Sequence, residues 1–199
     1  MSATLLGPAP VATSPAGTAR AASATPTRSL VQLMHETQTL HSAGRADDAV
    51  SAYRDWINGG TQPMRHVACF NLGTLLGSLG RSGEAEAAYR QALAIHADFP
   101  HARLNLGHLL ERGGDHEAAL AEWRAVLAGT GAKDLRVHAF NNLGRLLETL
   151  RRFPEAEHCL AESLKLDAEQ PHVVQHYVHL RQKQCKWPAW QGVGELTPN

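Results

Sequence analysis

Asn71-Leu72-Gly73 recurs as Asn105-Leu106-Gly107 and again as Asn142-Leu143-Gly144, at intervals of 34 and 37 residues. About a dozen residues after each copy stands an alanine, followed four positions later by a large side chain: Ala85 and Tyr89, Ala119 and Trp123, Ala156 and Leu160. A period of this length, built from two helical halves, marks a stacked array in which each unit buries its apolar face only against its neighbours. Packing explains the recurrence. Gly73, Gly107 and Gly144 let the two helices of a unit approach closely, and Ala85, Ala119 and Ala156 do the same from the second helix. Leu72, Leu76, Leu106, Leu110, Leu143 and Leu147 fill the space between helices. Tyr89, Trp123 and Leu160 are expected to pack against the following unit.

Upstream of the repeats, residues 1–28 are rich in Ala, Pro, Ser, Thr and Gly, and hold Arg20 and Arg28 but no acid. Pro8, Pro10 and Pro15 interrupt the one candidate apolar stretch, so a secretory signal is excluded. Such a segment buries too little apolar surface to offset its ordering entropy and reads as a disordered leader. Its basic, acid-poor character leaves a transit peptide as the alternative. Order should begin near Leu30, with Leu30, Leu33, Met34 and Leu40 at helical spacing and Gly44 placed to end the helix. Ala49, Tyr53 and Trp56 give the face of a second helix, closed by Asn58-Gly59-Gly60. This pair is a degenerate first repeat, with Glu36-Thr37 where Leu-Gly should stand.

Downstream, Pro63 breaks the chain, a helix over 66–79 ends at Gly80, and Ser82 is the expected N-cap of the return helix to about His96. Pro100 suits a helical first turn, Gly113-Gly114 ends that helix, and Asp115 caps the next, to about Ala128. Gly129-Thr130-Gly131-Ala132 carries the extra residues of the longer interval. The last pair spans Val137 to Leu150 and Phe153 to Leu166, turning at Arg151-Arg152. Pro171 opens a ninth helix, ending near Lys186 and without a following partner.

Composition narrows function. The 199-residue chain has a formal net charge of zero, so no basic excess is available to neutralise nucleic-acid phosphates. Cys69, Cys159 and Cys185 lie far apart with no C-x-x-C pair, which fits reduced thiols in a cytoplasmic protein rather than a disulfide framework or zinc site. No apolar run approaches the roughly 18 residues that span a bilayer.

From Leu30 to about Gln170 the pattern resembles the tetratricopeptide-repeat family. It departs at Cys69 and Arg103, where the family usually has an aromatic, and at Leu76 and Leu110, where Tyr is frequent. The resemblance implies an all-α, right-handed α-solenoid of about four tetratricopeptide helix pairs plus a C-terminal capping or junction helix. Its divisions are a leader over 1–28, an array over 29–170 with repeats near 30–63, 66–99, 100–133 and 137–170, and a junction over 171–199.

Stacked helix pairs curve, and the first helix of each pair lines the concave side. By helical phase the groove carries Val67, Phe70, Asn71, Thr74 and Ser78, then His101, Leu104, Asn105, His108 and Arg112, then His138, Asn141, Asn142, Arg145 and Thr149. Asn71, Asn105 and Asn142 recur in register, and an amide offers both a donor and an acceptor to a peptide backbone. The competing explanation is that Asn before Leu-Gly serves local packing. A clamp for a C-terminal carboxylate is poorly furnished, with His101 and His138 beside only Arg112 and Arg145. His172, His176 and His179 share a face of the ninth helix, but no carboxylate or Cys at matching spacing completes a zinc set, so no metal is assigned. Cys185 lacks a nameable oxyanion donor or orienting acid, and no Gly-rich phosphate loop is present. No catalytic residue and no cofactor is assigned.

The segment His176-Tyr177-Val178-His179-Leu180-Arg181-Gln182-Lys183-Gln184-Cys185-Lys186-Trp187-Pro188 leaves the repeat pattern. It resembles the junction of bacterial Spindly-type relatives of O-linked N-acetylglucosamine transferase, where helical repeats hand over to a glycosyltransferase region. The asparagine ladder resembles the one that holds acceptor proteins in that family, although His35 stands at its place in repeat one. The resemblance implies a protein-binding module selecting acceptors, whose catalytic α/β lobes lie beyond Asn199 and would use a UDP-sugar. Trp187, Pro188 and Trp190 would then lack the surface they pack on. The alternative is a free-standing scaffold with no enzyme attached. The expected partner is a protein or extended peptide, not nucleic acid or membrane.

Overall fold

The computed structural model describes residues 28–59 and 63–189. Among them nine helices follow one another without a strand: α1 (Leu30–Ser42), α2 (Ala46–Asn58), α3 (Arg65–Ser78), α4 (Ser82–Ile95), α5 (Pro100–Arg112), α6 (His116–Ala128), α7 (Lys133–Thr149), α8 (Phe153–Leu166) and α9 (Pro171–Lys183). Each of α1, α3, α5 and α7 packs on the even helix after it, and α2–α3, α4–α5, α6–α7 and α8–α9 join successive units. In addition α5 touches both α3 and α7, so the odd helices line one wall. This is the expected all-α helical-repeat fold. The leader up to residue 27, Gly60 and the chain from Trp190 onward lie outside the described residues.

The close approach read from the glycines is present. A Cβ added at Gly73 would sit 2.7 Å from Tyr89 Cε1, one at Gly107 2.7 Å from Trp123 Cε2, and one at Gly144 2.5 Å from Leu160 Cδ2. The partner is therefore the second helix of the same pair, which corrects the expectation that Tyr89, Trp123 and Leu160 pack chiefly on the following repeat. Tyr89 also reaches forward, accepting a hydrogen bond from Asn105 Nδ2 at 3.4 Å. Trp123 is fully buried and donates its Nε1–H to the Leu104 carbonyl at 3.2 Å. All six predicted core leucines are buried, with Ala85, Ala119 and Ala156 fully so.

The turns repeat one device. Arg45, Arg81, Asp115 and Arg152 each donate a backbone N–H to the carbonyl five residues back, closing the helix after a left-handed residue. That residue is Gly44, Gly80 and Gly114 in the first three cases, and Arg151, at φ 59°, in the fourth. The helix starts differ from expectation. Ser82 is already helical, and the N-cap is Arg81, which makes no side-chain cap. Asp115 does cap α6, accepting from Ala118 N at 3.2 Å. Helix α7 opens at Lys133 rather than Val137, because the longer interval adds a turn to the helix instead of lengthening the loop. Helix α9 stops at Lys183, three residues early, and packs Val173, Tyr177 and Leu180 into the core.

At the start, Arg28 is tied down rather than part of the leader. Its carbonyl accepts from Trp56 Nε1 at 2.7 Å and its guanidinium donates to the Ala52 carbonyl at 3.2 Å. In α1, Leu33 is buried but Met34 is 43% exposed. Thr37 takes the second buried place, donating its hydroxyl to the carbonyls of Leu33 and Met34.

The joints between repeats are of two kinds. At the first, Arg81 binds Asp47 at 2.9 Å and Glu84 at 2.7 Å, while Arg54 also reaches Glu84. At the third, Arg152 binds Glu117 at 2.9 Å and Glu155 at 2.7 Å, and Arg124 reaches Glu155. Among the described residues no ion pair crosses from α3–α4 to α5–α6. There the rings of Phe70 and Phe99 meet edge-on at 5.3 Å, and His66 and His101 flank Phe99 at 5.1 and 5.8 Å.

Candidate peptide-binding groove

The wall of odd helices carries the predicted site residues, but not as an uninterrupted open row. Asn105 and Asn142 are half-buried and already engaged. Asn105 Nδ2 donates to Tyr89 Oη, and Asn142 Nδ2 meets His108 Nε2 at 3.2 Å. Asn71 is half-buried too, and its Nδ2 is buried with no partner among the described residues. Asn141 donates to Gln170 Oε1 at 2.8 Å, leaving its buried Oδ1 unpartnered.

Two groove assignments are corrected. Leu104 is buried beneath Trp123 and does not face the groove. Phe70 is a half-buried wedge between repeats, 5.9 Å from the Tyr89 ring and 6.3 Å from His101, rather than an open wall residue. Thr74, Ser78, His101, His108, Arg112, His138, Arg145 and Thr149 are exposed, and Val67 is half-buried. Thr74 and Thr149 spend their hydroxyl protons on helix carbonyls one turn back.

Charge along this wall is largely satisfied from repeat to repeat. Arg145 donates to Glu111 at 2.6 Å, and the hydrogen bond holds the Glu111 carboxyl below its ordinary range against the opposing effect of burial. Burial would raise the Glu148 carboxyl, but Lys183, at 2.9 Å, and His176 outweigh it and bring it down. His108 is lowered by burial first, with Glu111 opposing and Arg145 and Arg112 adding to the fall. Arg112 has no ion-pair partner among the described residues. The spacings Glu111 to Arg145 and Glu148 to Lys183 match the repeat period and could have been found in the sequence.

Between α1 and α3 the wall opens into a pocket of about 320 Å³ lined by Met34, Thr37, Gln38, His41, Tyr53, Asn71, Thr74, Leu75 and Ser78. The sequence reading omitted the first-repeat members of this set. Their signal was present: Met34 and Gln38 stand one repeat before Phe70 and Thr74. A second pocket, of about 310 Å³, lies between α7 and α9 and is lined by Asp134, His138, Asn141, Asp167, Gln170, His172 and Val137.

Cys69 and Cys159 are buried free thiols, and burial pushes Cys159 up to about 11. Among the described residues no group of three His, Cys, Asp or Glu side chains is placed to hold a metal ion. Of the α9 histidines, His176 is claimed by Glu148, which approaches from α7. No described helix is long and apolar enough to cross a membrane. At the C-terminal end Glu157 gathers Arg181 at 2.6 Å, Lys186 and Gln184. Arg181 also donates to the Pro188 carbonyl, Ala189 is buried, and Trp187 is 67% exposed.

Residues 70–134 match one tetratricopeptide-repeat family description and residues 136–166 a second. Over these two stretches the chain carries tetratricopeptide repeats, a protein-interaction architecture. The cytochrome c-type biogenesis protein CycH of Bradyrhizobium diazoefficiens is 37% identical over 93 residues, covering 45% of this chain and 24% of that protein. A tetratricopeptide repeat and J domain-containing co-chaperone, DNJ1, of Fusarium oxysporum is 31% identical over 101 residues, covering 51% of this chain and 19% of that protein. The chain thus spans a quarter or less of the length of these curated relatives. Among solved structures, a tetratricopeptide repeat protein from Parabacteroides merdae superposes with a TM-score of 0.69 at 19% identity, over 78% of this chain and 60% of that one. That likeness speaks to fold alone.

Proposed function

We propose that the concave wall holds an extended polypeptide supplied by another protein. The observation that carries this reading is one half-buried amide in each of the second, third and fourth repeats, Asn71, Asn105 and Asn142, in register along the odd helices. Asn105 and Asn142 use their N–H groups internally and keep a carbonyl oxygen free of partners among the described residues, ready to accept from a peptide N–H. Binding of a peptide array to the wild-type chain and to Asn105→Ala tests the reading. Loss of one such bond is expected to cost about 0.5–1.5 kcal/mol, or roughly two- to tenfold in affinity. An Asn105→Ala variant binding every peptide as well as wild type would overturn the ladder.

The finer reading is that this module selects acceptors for a Spindly-type glycosyltransferase in the cytoplasm. It rests on the resemblance over 176–188 and on the ladder. A free-standing adaptor is the alternative, and the names of the two relatives above, a cytochrome c-type biogenesis protein and a co-chaperone, favour handling of polypeptides without sugar transfer. The purified chain incubated with a UDP-sugar and acceptor protein should give no transfer, and any turnover sinks the noncatalytic reading.

A further inference from the structure

Three of the four contacts between neighbouring odd helices are bridged by side-chain hydrogen bonds, ion pairs or ring contacts, although the pocket of about 310 Å³ also lies between α7 and α9. From α3 to α5 the closure is Phe70 against Phe99 and His101. From α5 to α7 it is Asn142 with His108 and Arg145 with Glu111. From α7 to α9 it is Asn141 with Gln170, and Glu148 with His176 and Lys183. Between α1 and α3 no side-chain hydrogen bond, ion pair or ring contact crosses among the described residues, and the 320 Å³ pocket lies there. Its volume is in the range of pockets that take a ligand.

The lining fixes the chemistry of the occupant. It contains no Asp, Glu, Lys or Arg, and His41 is its one titratable side chain apart from Tyr53. Met34 is 43% exposed at its edge, and Val31, one turn earlier on the same stripe of α1, is 75% exposed. Leu75 faces Met34 from the α3 side of the pocket, and Asn71 supplies the buried amide nitrogen that lacks an acceptor. Rotation of that amide presents a donor to a carbonyl entering the pocket.

Building on the groove reading above, we infer that the primary docking point is this N-terminal pocket. Its occupant is an uncharged extended peptide segment that lodges an aliphatic side chain between Met34 and Leu75 and gives a backbone carbonyl to Asn71. Most of the charge on the rest of the wall is paired internally, with exposed Arg112 the exception, so the uncharged pocket sets the preference.

Fluorescence anisotropy with three labelled dodecapeptides tests this. They share a Ser-Gly-Thr background and carry two leucines, two glutamates or two lysines. The leucine peptide should bind at least about tenfold more tightly than the others, the gain expected from burying one such side chain. Met34→Lys should remove that advantage, while Arg90→Ala on α4 should leave it intact, with circular dichroism verifying that both variants fold. Tighter binding of the glutamate or lysine peptide overturns the proposal. So does leucine-peptide binding that survives Met34→Lys and is weakened by Asn142→Ala, which would keep the groove but move the site. Failure of all three peptides to bind would sink the groove reading as well.

Discussion

Replacing Gly107 by alanine puts the packing argument at most risk. The new Cβ would stand 2.7 Å from Trp123 Cε2 and closer still to Nε1. Trp123 cannot step aside, since it is fully buried and its indole N–H is held by the Leu104 carbonyl at 3.2 Å. Overpacking of this kind costs about 1–3 kcal/mol, and breaking the indole bond adds about 1 kcal/mol. The helix propensity of alanine over glycine returns about 1 kcal/mol, so the net loss should be about 1–3 kcal/mol. Gly144→Ala meets the Cδ2 of Leu160 at 2.5 Å and its Cγ at 2.8 Å, on a side chain with rotamer freedom that the hydrogen-bonded indole lacks, and should cost about 1 kcal/mol less. Gly83→Ala, with nothing within 4 Å and a place in α4, should be neutral or stabilising by up to about 1 kcal/mol. Urea midpoints followed by circular dichroism and by tryptophan fluorescence measure all three. For a chain of this size the Gly107 variant should lose roughly 2–10 °C in Tm. A Gly107→Ala protein as stable as wild type, or less perturbed than Gly144→Ala, would refute the close-approach argument.

Arg151→Gly should raise stability by about 0.5–1 kcal/mol, because Arg151 sits at φ 59° where glycines stand in the other turns; an unfolding midpoint that drops contradicts this. Acid should destabilise the array in two steps. Burial, with His96 adding to it, holds His66 below its ordinary 6.5, so the unfolded chain binds the proton first and stability falls as pH drops through 6.5. Glu111 and Glu148 are held below 4.5, so a second loss follows as pH falls below that value; a urea midpoint that rises as pH drops from 7 toward 5 contradicts the first sign, and one that rises as pH drops below 4.5 contradicts the second. Glu157→Gln should release the segment around Lys186 and Pro188 while leaving α1–α7 intact, seen as faster amide exchange confined to the chain end; uniform loss of protection along the whole array would show that the cluster does more than hold the end.

The repeat was legible because steric crowding at Gly73, Gly107 and Gly144 penalises any side chain there, and hydrophobic spacing located all the helix pairs. Helix starts were harder. Ser82 has the chemistry of an N-cap, yet Arg81 holds that place because its guanidinium is drawn to Asp47 of the previous repeat, a contact invisible to local sequence. Gly129-Thr130-Gly131-Ala132 reads as loop, and the good helix formers Lys133, Leu135 and Arg136 extend α7 backward from Val137. In the groove, helical phase singled out Asn71, Asn105 and Asn142, which stand half-buried on α3, α5 and α7. It erred at Leu104 and Phe70, which lie at the edge of that stripe, where a neighbour's bulk decides whether a side chain is covered.

The alternation of joints has a mechanical corollary. Dissolved salt screens guanidinium–carboxylate contacts and leaves aromatic edges almost untouched. Raising ionic strength therefore slackens the couplings either side of the second and third repeats and spares the seam between them. The array should behave as two outer flaps on a stiff central block, with its curvature set by the medium at the ends and by Phe70 and Phe99 in the middle.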